Sequence, residues 1–315
     1  MKENPEFIGR AYAEEEKGNL NEVLKKWSNE ESEPVEGELE KTEEEIKMIE
    51  TVNLIIESEL KSLGIEEYRP IPLARVHMLP GEVFREKFPD SEASGFFFST
   101  NDAVYLNKDS AVTKARMLSV LTHELVHRAS ATKFYVDNDK GIHDARVGYR
   151  IRSPWKEPAR PGRLRGFNEL MTDLTVYKVL VNNQELLESR IGLAKKDIQG
   201  PIYTYTHYES ILEPILKKIS EDKQVSPKEA FDNLERGQFE NNILALKDVE
   251  KSFGKGSLEI LSLLEALKEK DDNDKLEGMI RGFFSEQDEL ERQNIRYEIL
   301  AFVDKVEKGS QAETG

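Results

Sequence analysis

The 315-residue chain contains no cysteine, so disulfide bonds and thiolate metal ligands are both excluded. Basic residues are in deficit, with 45 Lys and Arg against 61 Asp and Glu, for a net charge of −16. A surface of that sign repels a phosphate backbone, which argues against a nucleic-acid partner. No run approaches the roughly 18 consecutive apolar residues that a membrane-spanning helix requires. The first residues, Met1-Lys-Glu-Asn-Pro-Glu-Phe7, lack the apolar stretch of a secretory signal. A soluble, cytoplasmic protein with no membrane partner is the expectation. Histidine is scarce too, with five in the whole chain.

Two of those five stand in His123-Glu-Leu-Val-His127. At 3.6 residues per helical turn, i and i+4 project from one face. Two imidazoles so placed can grip one Zn²⁺ at about 2.0–2.1 Å each. Glu124, one step round the helix, is placed to take a proton from metal-activated water rather than to act as a ligand. Ala115, Leu118, Val120, Leu121, Leu125 and Val126 supply apolar contacts nearly all round this helix, which the pattern starts near Ser110. A histidine pair in such a setting needs a partner for its nitrogens. A metal would be that partner.

An open zinc site takes three protein ligands. Asn168-Glu-Leu-Met-Thr-Asp173 opens a segment, 168 to 181, with helical spacing at Leu170, Leu174, Tyr177 and Leu180. Glu169 and Asp173 are again i and i+4, so two carboxylates share one face. Together the two motifs resemble those of the gluzincin metallopeptidases, the thermolysin-like clan whose third ligand is a glutamate on a second helix. Small bacterial and archaeal proteins with the same motif pair are similar. The resemblance implies that His123, His127 and Glu169 bind zinc and that Glu124 is the general base. It also implies that Asp173 accepts a hydrogen bond from the non-ligating nitrogen of His123. The 41 residues between His127 and Glu169 exceed the thermolysin spacing, so this connection must carry extra structure.

The preceding segment suits the same scaffold. Ser94 to Phe98 and Ala103 to Leu106 read as strands joined by a turn at Thr100-Asn-Asp102. In the clan, a Gly-aromatic strand and then an edge strand precede the active-site helix, and the edge strand pairs with an extended substrate. Ile71 to Leu79 reads as another strand. Thr42 to Leu63 reads as a helix, with a Thr42/Glu45 capping box and a stripe of Ile49, Val52, Ile56, Leu60 and Leu63.

An oxyanion formed at the scissile carbonyl needs a donor beyond the metal. Tyr203, Tyr205, His207 and Tyr208 are candidates, and Tyr208 is in helical phase with Ile211, Leu212 and Ile215. The similar small proteins carry a metal-facing tyrosine at this place, which selects Tyr208, with His207 and Tyr205 as substitutes. His77 reads as a core or edge residue. His143 reads as part of a turn leading into a hairpin around Val147, Tyr149 and Ile151.

The organisation is therefore an acidic, partly disordered segment over 1–41, an α+β zincin-like core over 42–199, an all-helical subdomain over 200–308, and a disordered tail over 309–315. Phe7, Ile8, Tyr12, Leu20, Val23, Leu24 and Trp27 suggest short docking helices in the first segment. The core comprises a backing helix, a small mixed sheet with an edge strand, the active-site helix and the glutamate helix. Between the last two lies a basic island: Arg146, Arg150, Arg152, Lys156, Arg160, Arg163 and Arg165. Pro154, Pro158 and Pro161 mark it as an extended loop suited to an acidic substrate or to the acidic N-terminal segment. Beyond it, Ser226-Pro-Lys-Glu229 opens a helix that Gly237 can stop, and further helices are read over 242–253, 257–268, 274–284 and 286–306. The function these features imply is zinc-dependent endopeptidase cleavage of a peptide or protein substrate. The alternative is a catalytically silent zincin-like binding or regulatory protein.

Overall fold

The computed structural model describes residues 6–7, 35–89, 93–137, 141–151, 163–198, 209–240, 242–264 and 273–313. In chain order come β1 (Glu6–Phe7), α1 (Glu43–Ser62), β2 (Val76–Leu79), α2 (Gly81–Lys87), β3 (Gly95–Phe98), β4 (Ala103–Asn107) and α3 (Lys114–Ala129). Then follow β5 (Thr132–Asp137), β6 (Gly141–Val147), β7 (Arg150–Ile151), α4 (Arg165–Asn182), α5 (Gln184–Ile191) and α6 (Lys195–Ile198). The remainder is helical: α7 (Glu209–Lys223), α8 (Pro227–Phe239), α9 (Lys247–Phe253), α10 (Ser257–Ser262), α11 (Asn273–Ser285) and α12 (Glu289–Glu313). The class is mixed α+β. Among the described residues no helix is long and apolar enough to cross a membrane.

Helix α1 starts where its capping box places it, with the Glu45 carboxylate returning a bond to the Thr42 N–H at 2.8 Å. Its Ile49, Val52, Ile56 and Leu60 share a core with Leu118, Leu121 and Leu125 of α3 and Val176, Val179 and Leu180 of α4. Strand β2 is shorter than its apolar run. Pro70 and Pro72 remove backbone donors, and Leu73–Arg75 winds into a 3-10 turn before the strand begins. Helix α3 begins at Lys114 rather than near Ser110. Thr113 caps it, accepting from the Arg116 N–H at 3.1 Å, whereas the Ser110 hydroxyl closes the preceding turn on the Asn107 carbonyl.

The first sheet has the order β2-β4-β3, with β2 parallel and β3 antiparallel to β4. This corrects the expected placement: Ala103–Leu106 lies in the central strand, and the Gly-aromatic strand β3 is at the edge. Strand β4 is buried on both faces. Val104 and Leu106 join the helical core, while Ala103 and Tyr105 meet Leu79 and Phe84 in a second cluster. A strand covered on both sides needs no polar alternation, hence Ala-Val-Tyr-Leu.

The long connection after α3 does carry extra structure, a second sheet of order β1-β5-β6-β7. His143 lies within β6 opposite Tyr135, not in a turn, and Phe7 pairs as a strand beside Phe134 instead of starting a helix. A bulge between Lys133 and Phe134 breaks the period-two pattern that would have announced this hairpin. Arg146 and Arg150 are therefore strand residues, while Arg152, Lys156 and Arg160, with the three loop prolines, lie outside the described residues.

Helix α4 also enters a separate core. Its Phe167, Leu170 and Met171 pack with Ile211 and Ile215 of α7, Leu234 of α8 and Phe283 of α11. The Ser226/Glu229 capping box opens α8. Gly237 does not stop that helix, which runs on to Phe239. A Cβ at Gly237 would collide with the Tyr149 hydroxyl and with Ala245, so close approach explains this glycine. A 3-10 turn, Ile243–Leu246, precedes α9, and α12 continues through Gly309, where a frayed tail was expected.

A buried triad ties α3 to the first sheet. Asp102, at φ 51° in the β3–β4 turn, accepts from Arg128 Nε at 2.8 Å, from Arg128 Nη2 at 3.0 Å and from Arg75 Nη1 at 2.9 Å. Arg128 Nη1 donates onward to the Arg69 carbonyl at 2.6 Å. All three side chains are essentially inaccessible to water, so loss of the one carboxylate strands two guanidinium groups. Asp102→Asn should cost about 3–5 kcal/mol in a urea unfolding curve. An unchanged midpoint would remove the triad as a structural tie.

Candidate metal centre

Helix α3 turns Leu118, Leu121 and Leu125 into the core, which leaves His123 and His127 on the flank facing α4. Helix α4 is oriented the same way by Val176, Val179 and Leu180, so Glu169 and Asp173 face the histidines. The two helices bring together what the chain separates. Glu169 Oε2 lies 3.1 Å from His127 Nε2 and 3.3 Å from His123 Nε2, and the two Nε2 atoms are 3.0 Å apart. Donors bound tetrahedrally to one zinc ion at about 2.0–2.1 Å would sit about 3.3 Å from each other. Among the described residues this is the one such cluster of potential ligands, and its two nitrogens and one carboxylate oxygen suit zinc.

Asp173 stands where the resemblance placed it, its Oδ1 2.7 Å from His123 Nδ1. That bond points Nε2 at the cluster. Burial alone would lower the His123 pKa, but the charge and hydrogen bond of Asp173, with Glu169, outweigh it and hold the ring well above its ordinary value. Burial would likewise raise Glu169, and the facing His127 and His123 instead hold it well below the usual carboxylate range. Glu124 behaves oppositely. Burial raises its carboxyl, against the pull of His123 and His127 and a hydrogen bond from the Phe97 N–H. A poised, partly raised carboxyl suits a general base.

Phe97 supplies that N–H because of strand register. Asn107 N–H donates to the Ser94 carbonyl at 2.9 Å, so Gly95/Leu106 and Phe97/Val104 fall at the non-hydrogen-bonded positions of the ladder. Their backbone groups point away from β4, to the edge beside α3. Gly95 permits this approach: a Cβ there would lie 2.8 Å from Val120 Cγ1 and 3.3 Å from Glu124 Cγ.

Several contributors carry no sequence signal. Thr172 Oγ1 lies 3.5 Å from His127 Nδ1, the long limit of a hydrogen bond, and accepts from Gln238 Nε2 of α8 at 2.9 Å. Both side chains are fully buried. Asn168, the first residue of its motif, holds the β6–β7 turn by accepting from the Tyr149 N–H at 2.8 Å. His77 is a core residue, its Nδ1 2.7 Å from Glu38 Oε2 and its ring stacked on Tyr105. Tyr203, Tyr205, His207 and Tyr208 lie outside the described residues. Comparison with family profiles, curated proteins and solved structures finds no match to this chain.

Two measurements probe the cluster as a metal site. With His123 protonated in the metal-free protein, a metal must displace the Nε2 proton. Zinc affinity should then rise roughly tenfold per pH unit up to the His123 pKa and level off above it. Affinity that is flat between pH 5 and 8 would mean no proton is displaced. Thr172→Val and Gln238→Leu should each weaken zinc binding about 10–100-fold in a chelator competition, the usual cost of losing an outer partner of a ligand. Thr172→Ser should restore it.

Proposed function

We propose that this chain is a zinc-dependent endopeptidase of gluzincin type, with a zincin-like core over 42–199 and a peptide or protein as substrate. The single observation that carries the reading is the convergence of His123, His127 and Glu169 from two helices onto one point, with Glu124 beside it. Zinc bound there would supply Lewis acidity toward water and toward the scissile carbonyl. Glu124 takes the proton of the attacking water and passes it to the leaving amine; its buried, raised carboxyl favours that exchange. Asp173 holds the His123 tautomer.

Substrate recognition is assigned to β3. Its outward Gly95 N–H and carbonyl and the Phe97 carbonyl offer an extended peptide a strand to pair with, which gives affinity with little sequence demand, while the Phe97 N–H stays with Glu124. Tyr208, immediately before α7, is proposed as the donor to the oxyanion on the strength of its helical phase.

Glu124→Gln should keep stoichiometric zinc and lose about 10²–10⁴-fold in turnover, measured by metal analysis and cleavage of a peptide library. His123→Ala and Glu169→Ala should lose the metal as well. Wild-type cleavage by the glutamine variant eliminates the base. Purified wild-type protein that binds no zinc eliminates the whole reading.

A further inference from the structure

We propose that Arg146 and the first turn of α4 form a binding site for a carboxylate. Arg146 on β6 is 9% exposed, and its Nε donates to the Gly148 carbonyl at 2.8 Å. Its Nη2 is buried with no acceptor among the described residues. Burial lowers its pKa, and among the described residues the one ionisable group that counters this is the phenol of Tyr149, itself kept neutral by burial. A buried guanidinium without an acid is a net cost to folding, which a docked oxyanion would offset.

Two links place this guanidinium beside the start of α4. Its hydrogen bond fixes it against Gly148, where a Cβ would come 2.5 Å from Asn168 Oδ1 in that first turn. From the other side, Ile151 pairs with Arg146 and donates its N–H to the Arg163 carbonyl at 2.9 Å, one residue before Leu164. Helix α4 opens without a cap. Leu164, at φ 60°, provides no side-chain acceptor, and the first turn holds no acid. The positive end of its dipole is therefore not offset by an acidic side chain of that turn. Lys133 and Arg163 extend the same cross-strand row of positive charge. Arg146 supplies the fork that carboxylates favour.

Glu169 follows one turn along α4, so an anion held here neighbours the candidate metal centre. Assigning it to an acidic side chain or C-terminus of a peptide substrate rests on the hydrolase reading. The binding itself does not.

The test uses the full chain without metal, following thermal unfolding at constant ionic strength in chloride. The probes are acetyl-glutamic acid α-amide (side-chain carboxylate only), acetyl-alanine (α-carboxylate only) and inorganic phosphate. At least one carboxylate should raise the unfolding temperature of wild type, and which one does so identifies the source. Arg146→Met should respond at least tenfold more weakly, yet unfold no earlier than wild type in chloride alone. Arg146→Lys, with charge but no fork, should fall between. The site is overturned if Arg146→Met unfolds earlier in chloride while its carboxylate response is intact. It is equally overturned if phosphate alone protects. Zinc content and cleavage are read separately, so a chain that fails as a hydrolase can still pass.

Discussion

Two imidazole nitrogens and a carboxylate oxygen, held 3.0–3.3 Å apart in a largely buried cleft, cannot all present lone pairs to one another. Something positive has to lie between them. Without a metal that is a proton, and the raised His123 together with the lowered Glu169 describes it: an imidazolium between two carboxylates. The spacing of the three donors is also that of a set able to hold one ion. Asp173 makes the exchange simple, because it keeps the Nδ1 hydrogen bond in either state and leaves Nε2 to give up its proton.

The rest of the fold serves to keep those donors from drifting. Apolar packing orients α3 and α4, but packing alone tolerates small slides of one helix on another. The Arg75–Asp102–Arg128 triad is directional and lies directly after the second histidine. It pins the C-terminal end of α3 to the turn of the very strands whose edge faces Glu124. A buried, hydrogen-bonded tie of this kind fixes the position of the helix end that carries His127 more narrowly than apolar packing does. Asp102 in the left-handed region, which is uncommon outside glycine, asparagine and aspartate, is consistent with that demand.

What the chain disclosed beforehand divides by the range of the interaction. Periodicity and capping are local, and the capped starts of α1 and α8 emerged from Thr42/Glu45 and Ser226/Glu229 alone. The His123/His127 and Glu169/Asp173 pairs were legible for the same reason, since i and i+4 share a face whatever surrounds the helix. Pairing order is not local. Nothing in Ala-Val-Tyr-Leu says central rather than edge, because a strand covered on both faces has lost the alternation that would reveal its neighbours. The bulge at Lys133/Phe134 hid the hairpin, and a loop-like density of arginines concealed that Arg146 is buried. Gly237 misled because a glycine that ends a helix and one that admits a neighbouring hydroxyl look alike in one dimension.

Helix α4 explains why the candidate metal centre and the helical C-terminal part cannot be treated separately. One side of it, Val176, Val179 and Leu180, belongs to the core shared with α1 and α3; another, Phe167, Leu170 and Met171, belongs to the core shared with α7 and α8. Its polar residues follow the same split. Glu169 and Asp173 face the histidines, while Asn168 and Thr172 face the β6–β7 turn and Gln238. Lys178 reinforces the junction, bridging Glu59 of α1 at 2.8 Å with Asp232 and Glu235 of α8 at 2.8 and 2.6 Å. Helix α8 therefore contacts directly the same helix that carries Glu169. The residues after α4 thus pack against the helix that carries Glu169, which links the helical segment to the candidate site.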